Sequence, residues 1–478
     1  MILATLNQTH PSYRKDELER LEGLYCGGHE WREKIATWIP QNTSEPSDLW
    51  KERKERAVYH NHAGPIVDLI AAWLFSEPPA TEGLDEEWLK NVDRRRTDWT
   101  PFWKSLFTDA LVYRRAYCWV NLPARSADLH VENRAQEEQL GLLRPYLVPL
   151  EAEEVIDWGE DDAGALSWVM IRQNFQVRSS VAAGRQSGIR WIYADSTQIQ
   201  VWEWMATKDK PAPDDKDVIP EKRKIEHGMG VLPIVCLELP EGLHAMGKLH
   251  DPAVALLRAS NDLDWALHRA NHALMTVTTK DGVAPIKLGA GYFISLNRDA
   301  DGKDEVDYAE PSGATFTASS ERIKDLREEL YRVVQAMALT VSPNAQAQSG
   351  ESKARDWQAM EVILSAYAGL VLEAMLAVGQ IVAKILGLPD PTVSGLDGWQ
   401  QEDLTELLNQ ITLVAGLQIP SPTMKKELQK AIVRRLLSDL DADKLATIAK
   451  EIDEAPEEPL YTPVVPDPKP GANPPAGG

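Results

Sequence analysis

The chain has 478 residues, of which 43% are hydrophobic and 26% are charged, as is typical of water-soluble globular proteins. Lys and Arg number 51 against 73 Asp and Glu, and the net charge is −22. Because nucleic-acid binding relies on clustered Lys and Arg, this balance excludes a protein that grips DNA over its whole surface. The three cysteines, Cys26, Cys118 and Cys236, are too few and too widely spaced for a disulfide framework. We expect free thiols in a reducing compartment.

The first 110 residues have the pattern of short helices separated by loops. A short helix is predicted over residues 16–24, and Gly27 and Gly28 end it. A strongly charged run at 50–59, an apolar run at 64–74 and an amphipathic run at 102–112 follow. The start of the sequence lacks a basic region and its apolar run is too short, so we do not expect it to be a signal peptide.

From residue 113 to residue 239 the hydrophobic period changes from helical to alternating. The segments are rich in Trp, Ile, Val and Tyr and are separated by turn residues, which is typical of strands. The candidate strands cover residues 115–122, 146–150, 166–177, 189–194, 198–204 and 231–239. The polar run 208–224 is predicted to be an exposed loop.

Asp251 and Pro252 have the pattern of a helix start, with a capping side chain followed by proline in the first turn. The helix would run over residues 251–275, and its narrow apolar stripe suits packing against another helix. The stripe consists of Leu256, Ser260, Leu263, Leu267, Ala270 and Leu274. Residues 277–317 then return to strands and turns.

Residues 319–388 read as two helices joined by a polar elbow. The first helix is predicted over residues 321–339 and the second over 351–386, with the elbow at 340–353. The second helix would be roughly 50 Å long, so we expect it to span several layers or to cross subunits. Glu373, Gln380 and Lys384 interrupt its apolar end, which favours a buried helix over a membrane span.

The last part of the chain is predicted to form a helical cluster followed by a tail. The predicted helices cover residues 402–415, 423–437 and 442–454. The tail from residue 456 is rich in proline and poor in core-forming residues, so we expect it to be disordered or extended.

Two patterns point weakly to metals. His268 and His272 lie four positions apart on the predicted helix, but no third ligand stands at a typical spacing. Asn297, Asp299 and Asp301 match half of a calcium loop, whose twelfth position is Tyr308 instead of a carboxylate. We therefore expect no metal and no cofactor.

No catalytic motif stands out, and we expect the protein not to be an enzyme. An alternative is an acidic, glycosidase-like hydrolase, in which some of the 16 tryptophans would line a sugar-binding cleft. The adjacent acids Glu153 and Glu154, and likewise Asp161 and Asp162, lie in predicted turns. A third possibility is another helical scaffold or adaptor protein of an assembly.

The most distinctive signal is the order of elements. A β-rich half ends in a strand at 232–237, and a helix, a small β insertion and a returning helix follow it. A polar elbow then leads into a very long helix. This order resembles that of the portal (head-to-tail connector) proteins of tailed bacteriophages. Local stretches are similar to one branch of that family as well. They are residues 53–67 with 74–79, residues 145–158 and residues 349–355.

The resemblance implies an α+β fold with an α/β wing, a two-helix stem, a small β-containing clip, a long wing helix and a helical crown. The wing would be residues 1–248, helical to about residue 112 and β-rich over 113–239. The other parts would be stem helices 249–275 and 319–340, clip 276–318, tunnel loop 341–350, long wing helix 351–388, crown 389–454 and tail 455–478.

The resemblance further implies a ring of copies, typically a dodecamer, at one capsid vertex of the virion. Double-stranded DNA would pass through the channel without sequence-specific contacts, and assembly would take place in the host cytoplasm. The implied partners are the terminase large subunit, the head-completion or adaptor proteins, and the capsid and scaffolding proteins, with no membrane.

The resemblance also assigns roles to individual residues. The tunnel loop facing DNA would contain Ser342, Asn344, Gln346, Gln348, Ser349, Lys353 and Arg355. Stem packing would use Leu256, Leu263, Leu267, Leu274, Leu326 and Leu330, and clip docking would use Asp299, Asp301 and Asp304. Lys353 and Arg355 would either make weak phosphate contacts or cap the start of the long helix.

Overall fold

A computed structural model describes residues 1–123, 136, 141–178, 184–207, 210–270, 274–278, 305–309, 313–334, 350–397, 426, 430, 433 and 442–454. The chain divides into two compact units, Met1–Trp399 and Gln400–Gly478. Helices and sheets are both present in the larger unit, as the predicted α+β class requires.

The N-terminal part of the larger unit is helical. Its helices are α1 (Leu3–Leu6), α2 (Lys15–Cys26), α3 (Gly28–Glu33), α4 (Ile35–Trp38), α5 (Ser47–Arg56), α6 (Ala63–Leu74), α7 (Glu86–Leu89) and α8 (Trp99–Tyr113). The helix predicted over residues 16–24 corresponds to α2, and the charged, apolar and amphipathic runs overlap α5, α6 and α8. Gly27 ends α2 with a φ of 64°, a conformation that glycine adopts without steric cost.

Two antiparallel sheets follow. Strands β2 (Arg115–Asn121), β3 (Tyr146–Leu150) and β9 (Ile234–Glu238) form a three-stranded sheet in the order β3-β2-β9. Strands β4 (Val155–Glu160), β5 (Leu166–Val177), β6 (Gln186–Asp195), β7 (Gln198–Met205) and β8 (Glu221–Glu226) form a five-stranded meander in chain order.

Alternating side chains attach the meander to its neighbours on both faces. Ile192 packs toward the three-stranded sheet, in a cluster with Tyr117 and Trp119 of β2. The next residue toward the N-terminus, Trp191, points the other way and packs with Leu3 of α1. This period of two explains why β6 was predictable from its sequence.

Three long helices complete the larger unit. They are α9 (Ala245–Ala270), α10 (Gly313–Val333) and α11 (Gly350–Leu386). The antiparallel strands β10 (Leu274–Thr278) and β11 (Glu305–Ala309) lie between α9 and α10 in the chain. Helices α9 and α10 pack against each other, and α11 packs on β9 and on the N-terminal helices.

The start of α9 differs from the prediction. The helix begins at Ala245, so Pro252 lies inside it. Ala245, Met246 and Leu249 are completely buried in the main core. Burying the Met and Leu side chains stabilises by about 1.5–3 kcal/mol each, which offsets the roughly 3 kcal/mol that an internal proline costs.

The end of α9 also differs. The helix stops at Ala270, and Leu274 is the first residue of β10 instead of a stem-helix residue. The sequence from Leu274 to Thr278 contains three β-branched residues, which favour a strand over a further turn of helix.

Other boundaries shift as well. The predicted loop 208–224 contains the start of β8, whose charged residues gave no apolar alternation. Strand β4 was missed because two register shifts interrupt its pairing with β5. Helix α10 starts eight residues before the predicted position 321, at Gly313. Helix α11 matches its prediction at both ends to within one residue.

The segment before α6 is fixed to α9 by one buried amide. Asn261 is 6% exposed. Its Oδ1 accepts the Val58 N–H at 2.8 Å, and its Nδ2 donates to the carbonyls of Val58 at 2.9 Å and Leu257 at 2.8 Å. One side chain therefore satisfies both backbone groups of Val58.

We expect Asn261→Ala to lower the free energy of unfolding by about 2–3 kcal/mol, because it leaves the Val58 N–H and C=O without their partner. Urea denaturation followed by tryptophan fluorescence measures this change. Asp264→Ala, at an exposed position on the same helix, is the matched control and should change stability by less than about 0.5 kcal/mol. Equal effects of the two substitutions would contradict the assigned role.

In the smaller unit, α12 (Ala442–Glu454) has the predicted bounds. The Nζ of Lys430 lies 2.6 Å from a carboxylate oxygen of Asp453 on this helix. The other two predicted crown helices lie largely outside the described residues.

Candidate assembly surface

One face of α11 forms the centre of the main core. Met360, Leu364, Val371, Met375 and Val378 are each 0% exposed. They belong to one cluster that also includes buried residues of the N-terminal helices, α9 and α10. This face fixes the orientation of α11 in the larger unit.

Tyr367 anchors the middle of the same face. Its ring packs edge-on against Phe107 at 5.1 Å, and its hydroxyl donates to the Leu243 carbonyl at 2.6 Å. Burial raises the pKa of Tyr367 above its ordinary value, so the hydroxyl stays a donor at neutral pH.

The opposite face of α11 is not covered by other parts of the described chain. Solvent-facing helix surfaces usually carry charged residues, but the central part of this face has few of them. Val362 is 70% exposed, and Ser365, Ala366 and Gly369 are exposed one and two turns further on. Apart from the neighbouring residues and backbone of the helix itself, no described atom lies within 4 Å of the position that a Cβ on Gly369 would occupy. We call Val362, Ser365, Ala366 and Gly369 the outward face of α11.

Residues 357–386 would be long and apolar enough to cross a bilayer, yet only 44% of their most apolar window is buried in this chain. A helix that is apolar on all sides is normally covered on all sides. The buried inner face identifies α11 as a core helix, and the outward face is the part that this chain leaves uncovered.

Contacts at both ends hold α11 in place. Near its start, the Trp357 ring packs edge-on against Trp73 at 5.1 Å. Beyond its end, β12 (Thr392–Ser394) pairs with β1 (Ala80–Glu82) in a two-stranded sheet. Gly379 lets Pro391 approach, because an added Cβ would lie 3.0 Å from the proline ring. The outward face is therefore displayed on a rigid element.

The predicted stem residues are divided between core and surface. Leu256, Leu326 and Leu330 are buried in the main core, and Leu263 packs against it. Leu267, near the end of α9, is 38% exposed. The apolar stripes of α9 and α10 are thus largely covered within the chain. The role of these leucines in packing between copies stays a prediction.

Most of the predicted channel and clip residues lie outside the described residues. They are Ser342, Asn344, Gln346, Gln348 and Ser349 of the tunnel loop, and Asp299, Asp301 and Asp304 of the clip. Lys353 and Arg355 lie in the first two turns of α11, where the structure describes only the backbone. Their roles stay predictions.

Two clefts formed by described residues are not lined by groups of tryptophans. Trp31, Trp38, Trp88, Trp103 and Trp191 are fully buried core residues. A cleft of about 560 Å³ between α2, β2 and α9 has Trp158 as its one tryptophan among the described lining residues. Trp158 stacks on His10 and lies under the Arg115 guanidinium, so its ring faces are occupied.

Glu153 and Glu154, one of the acidic pairs considered for the hydrolase alternative, interact with other side chains of the fold. Glu154 accepts the side-chain amide of Gln173 at 3.2 Å, and Glu153 lies 3.7 Å from the Nζ of Lys15. Burial raises the pKa of both carboxyls. Neither residue lines the cleft at Trp158. Among the described residues, no group of three His, Cys, Asp or Glu side chains could hold a metal ion.

The outward face was not identified from the sequence, although a signal was present. Between the inner-face positions, the sequence of α11 carries further apolar or small residues, among them Val362, Ala366, Gly369, Leu372 and Leu376. A helix that packs on one side only normally carries polar residues at such positions. Apolar and small residues there indicate a second side that another element or another copy covers.

Comparison with known proteins gives limited matches. A family model described as a domain of unknown function (DUF4055) matches residues 248–385, from α9 through α11. No curated protein matches the chain.

Two solved structures align over most of the chain. One is described as "Neck of empty GTA particle computed with C6 symmetry", with a TM-score of 0.41, 12% identity and coverage of 84% of this chain and 93% of the other. The second is described as "Virion of native gene transfer agent (GTA) particle", with a TM-score of 0.36, 12% identity and coverage of 90% and 98%. At these low scores neither match determines the fold or the function.

Proposed function

We propose that this chain is the subunit of a ring-shaped portal of a phage-like particle. The ring is a channel at one capsid vertex through which double-stranded DNA is packed and ejected. It docks the packaging motor first and the head-completion proteins later. The protein carries out no catalysis in this role.

The observation that carries the proposal is the uncovered outward face of α11. An exposed Val362 next to Ser365, Ala366 and Gly369 allows the backbone of another helix or loop to approach closely. Copies that cover one another's exposed apolar surface through two different patches form a closed ring when the rotation between them closes.

The order of elements supports the same proposal. Strand β9 leads into α9, the β10–β11 pair follows, and α10 and α11 come after it. This is the order on which the resemblance to portal proteins rests. The acidic net charge of −22 suits a channel wall to which DNA does not adhere.

Mass photometry with negative-stain imaging of the purified chain tests the proposal. We expect rings of about a dozen copies with a central hole. A monomer at every concentration, up to the solubility limit, would overturn the ring and with it the channel.

We expect Ala366→Glu to shift the protein from rings to monomers, because it places a charge in a contact that would be desolvated. The monomer should keep its fold, since Ala366 is exposed in the isolated chain. Ala36→Glu, at an exposed position of α4, is the matched control and should assemble normally. Rings of unchanged stability from Ala366→Glu would show that the outward face of α11 is not the contact.

A further inference from the structure

Strand β9 is an edge strand of the three-stranded sheet, and its pairing with β2 shows which backbone groups point outward. The Val120 N–H donates to the Pro233 carbonyl at 2.8 Å, and the Leu239 N–H donates to the Arg114 carbonyl at 2.9 Å. In an antiparallel ladder, alternate residues direct both backbone groups to the same neighbour. The N–H and C=O groups of Ile234, Cys236 and Glu238 therefore point away from β2.

The described part of the chain supplies no hydrogen-bond partner for these outward groups. Ile234 is only 3% exposed. Cys236 and Glu238 are half-buried. Unpaired backbone N–H and C=O groups on a partly buried sheet edge are costly, and such an edge is a template for pairing with a further strand.

The other edges of the three-stranded and five-stranded sheets are blocked. On β3, Pro149 has no N–H, and the outward N–H of Leu147 donates to the Val92 carbonyl at 2.8 Å. On β4, two register shifts disturb the edge, and the Ile156 carbonyl accepts the His10 N–H at 2.9 Å. Strand β8 is exposed and almost entirely charged. These features prevent pairing with other chains, and β9 has none of them.

A groove of about 530 Å³ runs along β9. Its opposite wall is α11, which contributes Leu370, Ala374 and Ala377, and the turn between β4 and β5 forms one side. Small and apolar side chains on this wall leave room for an extended segment. The charged lining residues are Arg115, Glu160, Glu238 and Glu373.

We propose that the groove receives an extended segment of a second copy of this chain, which adds to β9 as a further strand. The proposal rests on the ring assembly proposed above and specifies one of its contacts. The groove wall at Leu370 is adjacent in sequence to Gly369 of the outward face, so a copy that covers the outward face is also next to the groove. The acidic excess in the groove favours a strand with Lys or Arg beside its apolar residues.

Cys236→Pro tests the strand addition. It removes an outward N–H and leaves every bond to β2 in place, so the monomer should fold normally. We expect the concentration for half-assembly to rise by about tenfold or more, because the added strand loses a hydrogen bond and meets the proline ring. Cys236→Ala removes the same thiol but keeps the N–H, and it should assemble as the unchanged chain does.

Hydrogen exchange gives a second readout. The amides of Ile234, Cys236 and Glu238 should exchange more slowly in the assembly than in the monomer, by a factor on the order of 100. Cross-linking between copies at a cysteine introduced at Leu232 should identify a segment of the same chain.

The possible outcomes separate the two proposals. Rings formed equally well by Cys236→Pro, or β9 amides that exchange equally fast in rings and monomers, would overturn the strand addition and leave the ring intact. A different protein cross-linked in the groove of an assembled ring would also overturn it. A monomeric unchanged chain would overturn both.

Discussion

Arg53→Ala should lower the free energy of unfolding by about 3–5 kcal/mol, because it leaves one half of a buried ion pair uncompensated. Arg53 is 7% exposed and Glu45 has a side chain only 10% exposed. The two form a bidentate pair, with Nε to Oε1 at 2.8 Å and Nη2 to Oε2 at 2.7 Å. Nη2 also donates to the Pro40 carbonyl at 2.8 Å, which fixes the segment before α5.

The matched control is Asp262→Asn. Asp262 lies 3.8 Å from the same guanidinium, but its side chain is 68% exposed, so the substitution should cost no more than about 1 kcal/mol. Urea denaturation of the two variants and of Glu45→Leu/Arg53→Leu measures the difference. The double substitution should cost less than Arg53→Ala alone, because no charge is left buried. Equal losses for Arg53→Ala and Asp262→Asn would contradict this account.

The same pair predicts a pH dependence. Hydrogen bonds from Arg53 hold the pKa of Glu45 below its usual range. A carboxyl with a lowered folded-state pKa stabilises the fold above its unfolded-state pKa of about 4.3, and this stabilisation is lost as the pH falls through the folded-state value. The deficit of Arg53→Ala should therefore be largest at neutral pH and decrease in acid.

Asp109→Asn, unlike Arg53→Ala, should increase the free energy of unfolding, by up to about 4 kcal/mol at pH 8. Burial in α8, with a smaller contribution from the charge of Glu151, raises the pKa of Asp109 to about 7. The unfolded chain ionises this group near pH 3.9, so the folded state holds the extra proton between about pH 4 and pH 7. Stability decreases as the pH rises through that window, and the asparagine variant lacks this decrease.

Thermal denaturation at pH 4 and at pH 8 measures this effect. At pH 4 the two proteins should have nearly equal stability, since Asp109 is protonated in the fold and close to half-protonated in the unfolded chain. Glu86→Gln, whose side chain is 88% exposed, should change stability by the same small amount at both pH values. An Asp109→Asn variant that is less stable at pH 8 would show that the charged carboxylate has a partner.

How far the sequence predicted the fold depended on whether the deciding contacts were local. Helix α11 was placed to within one residue because its apolar positions repeat at the helical period over its whole length. The start of α9 was wrong because burial of Met246 and Leu249 outweighed the local preference of Pro252. Asn261 and Val58 are far apart in sequence, and nothing near either residue indicates that they meet.

In the candidate site too, features set by local sequence were predictable and features set by distant contacts were not. An apolar elongated helix that needs more than one partner was predictable from composition and length. The outward face and the open edge of β9 were not, because both depend on which sides of an element other parts of the chain leave uncovered. The apolar stripe predicted on α9 packs against α10, and both helices bury most of their apolar residues within the subunit.

The pairing of β1 with β12 also sets an order of events during synthesis. Strand β1 leaves the ribosome early, whereas β12 follows the long helix, near the end of the larger unit. The cluster around α6 and α8 likewise includes α11 and Leu396. The nascent chain must therefore keep its N-terminal apolar residues from aggregating until α11 has emerged. A truncation before α11 leaves that core without its final layer, and one before residue 392 leaves β1 without its partner strand.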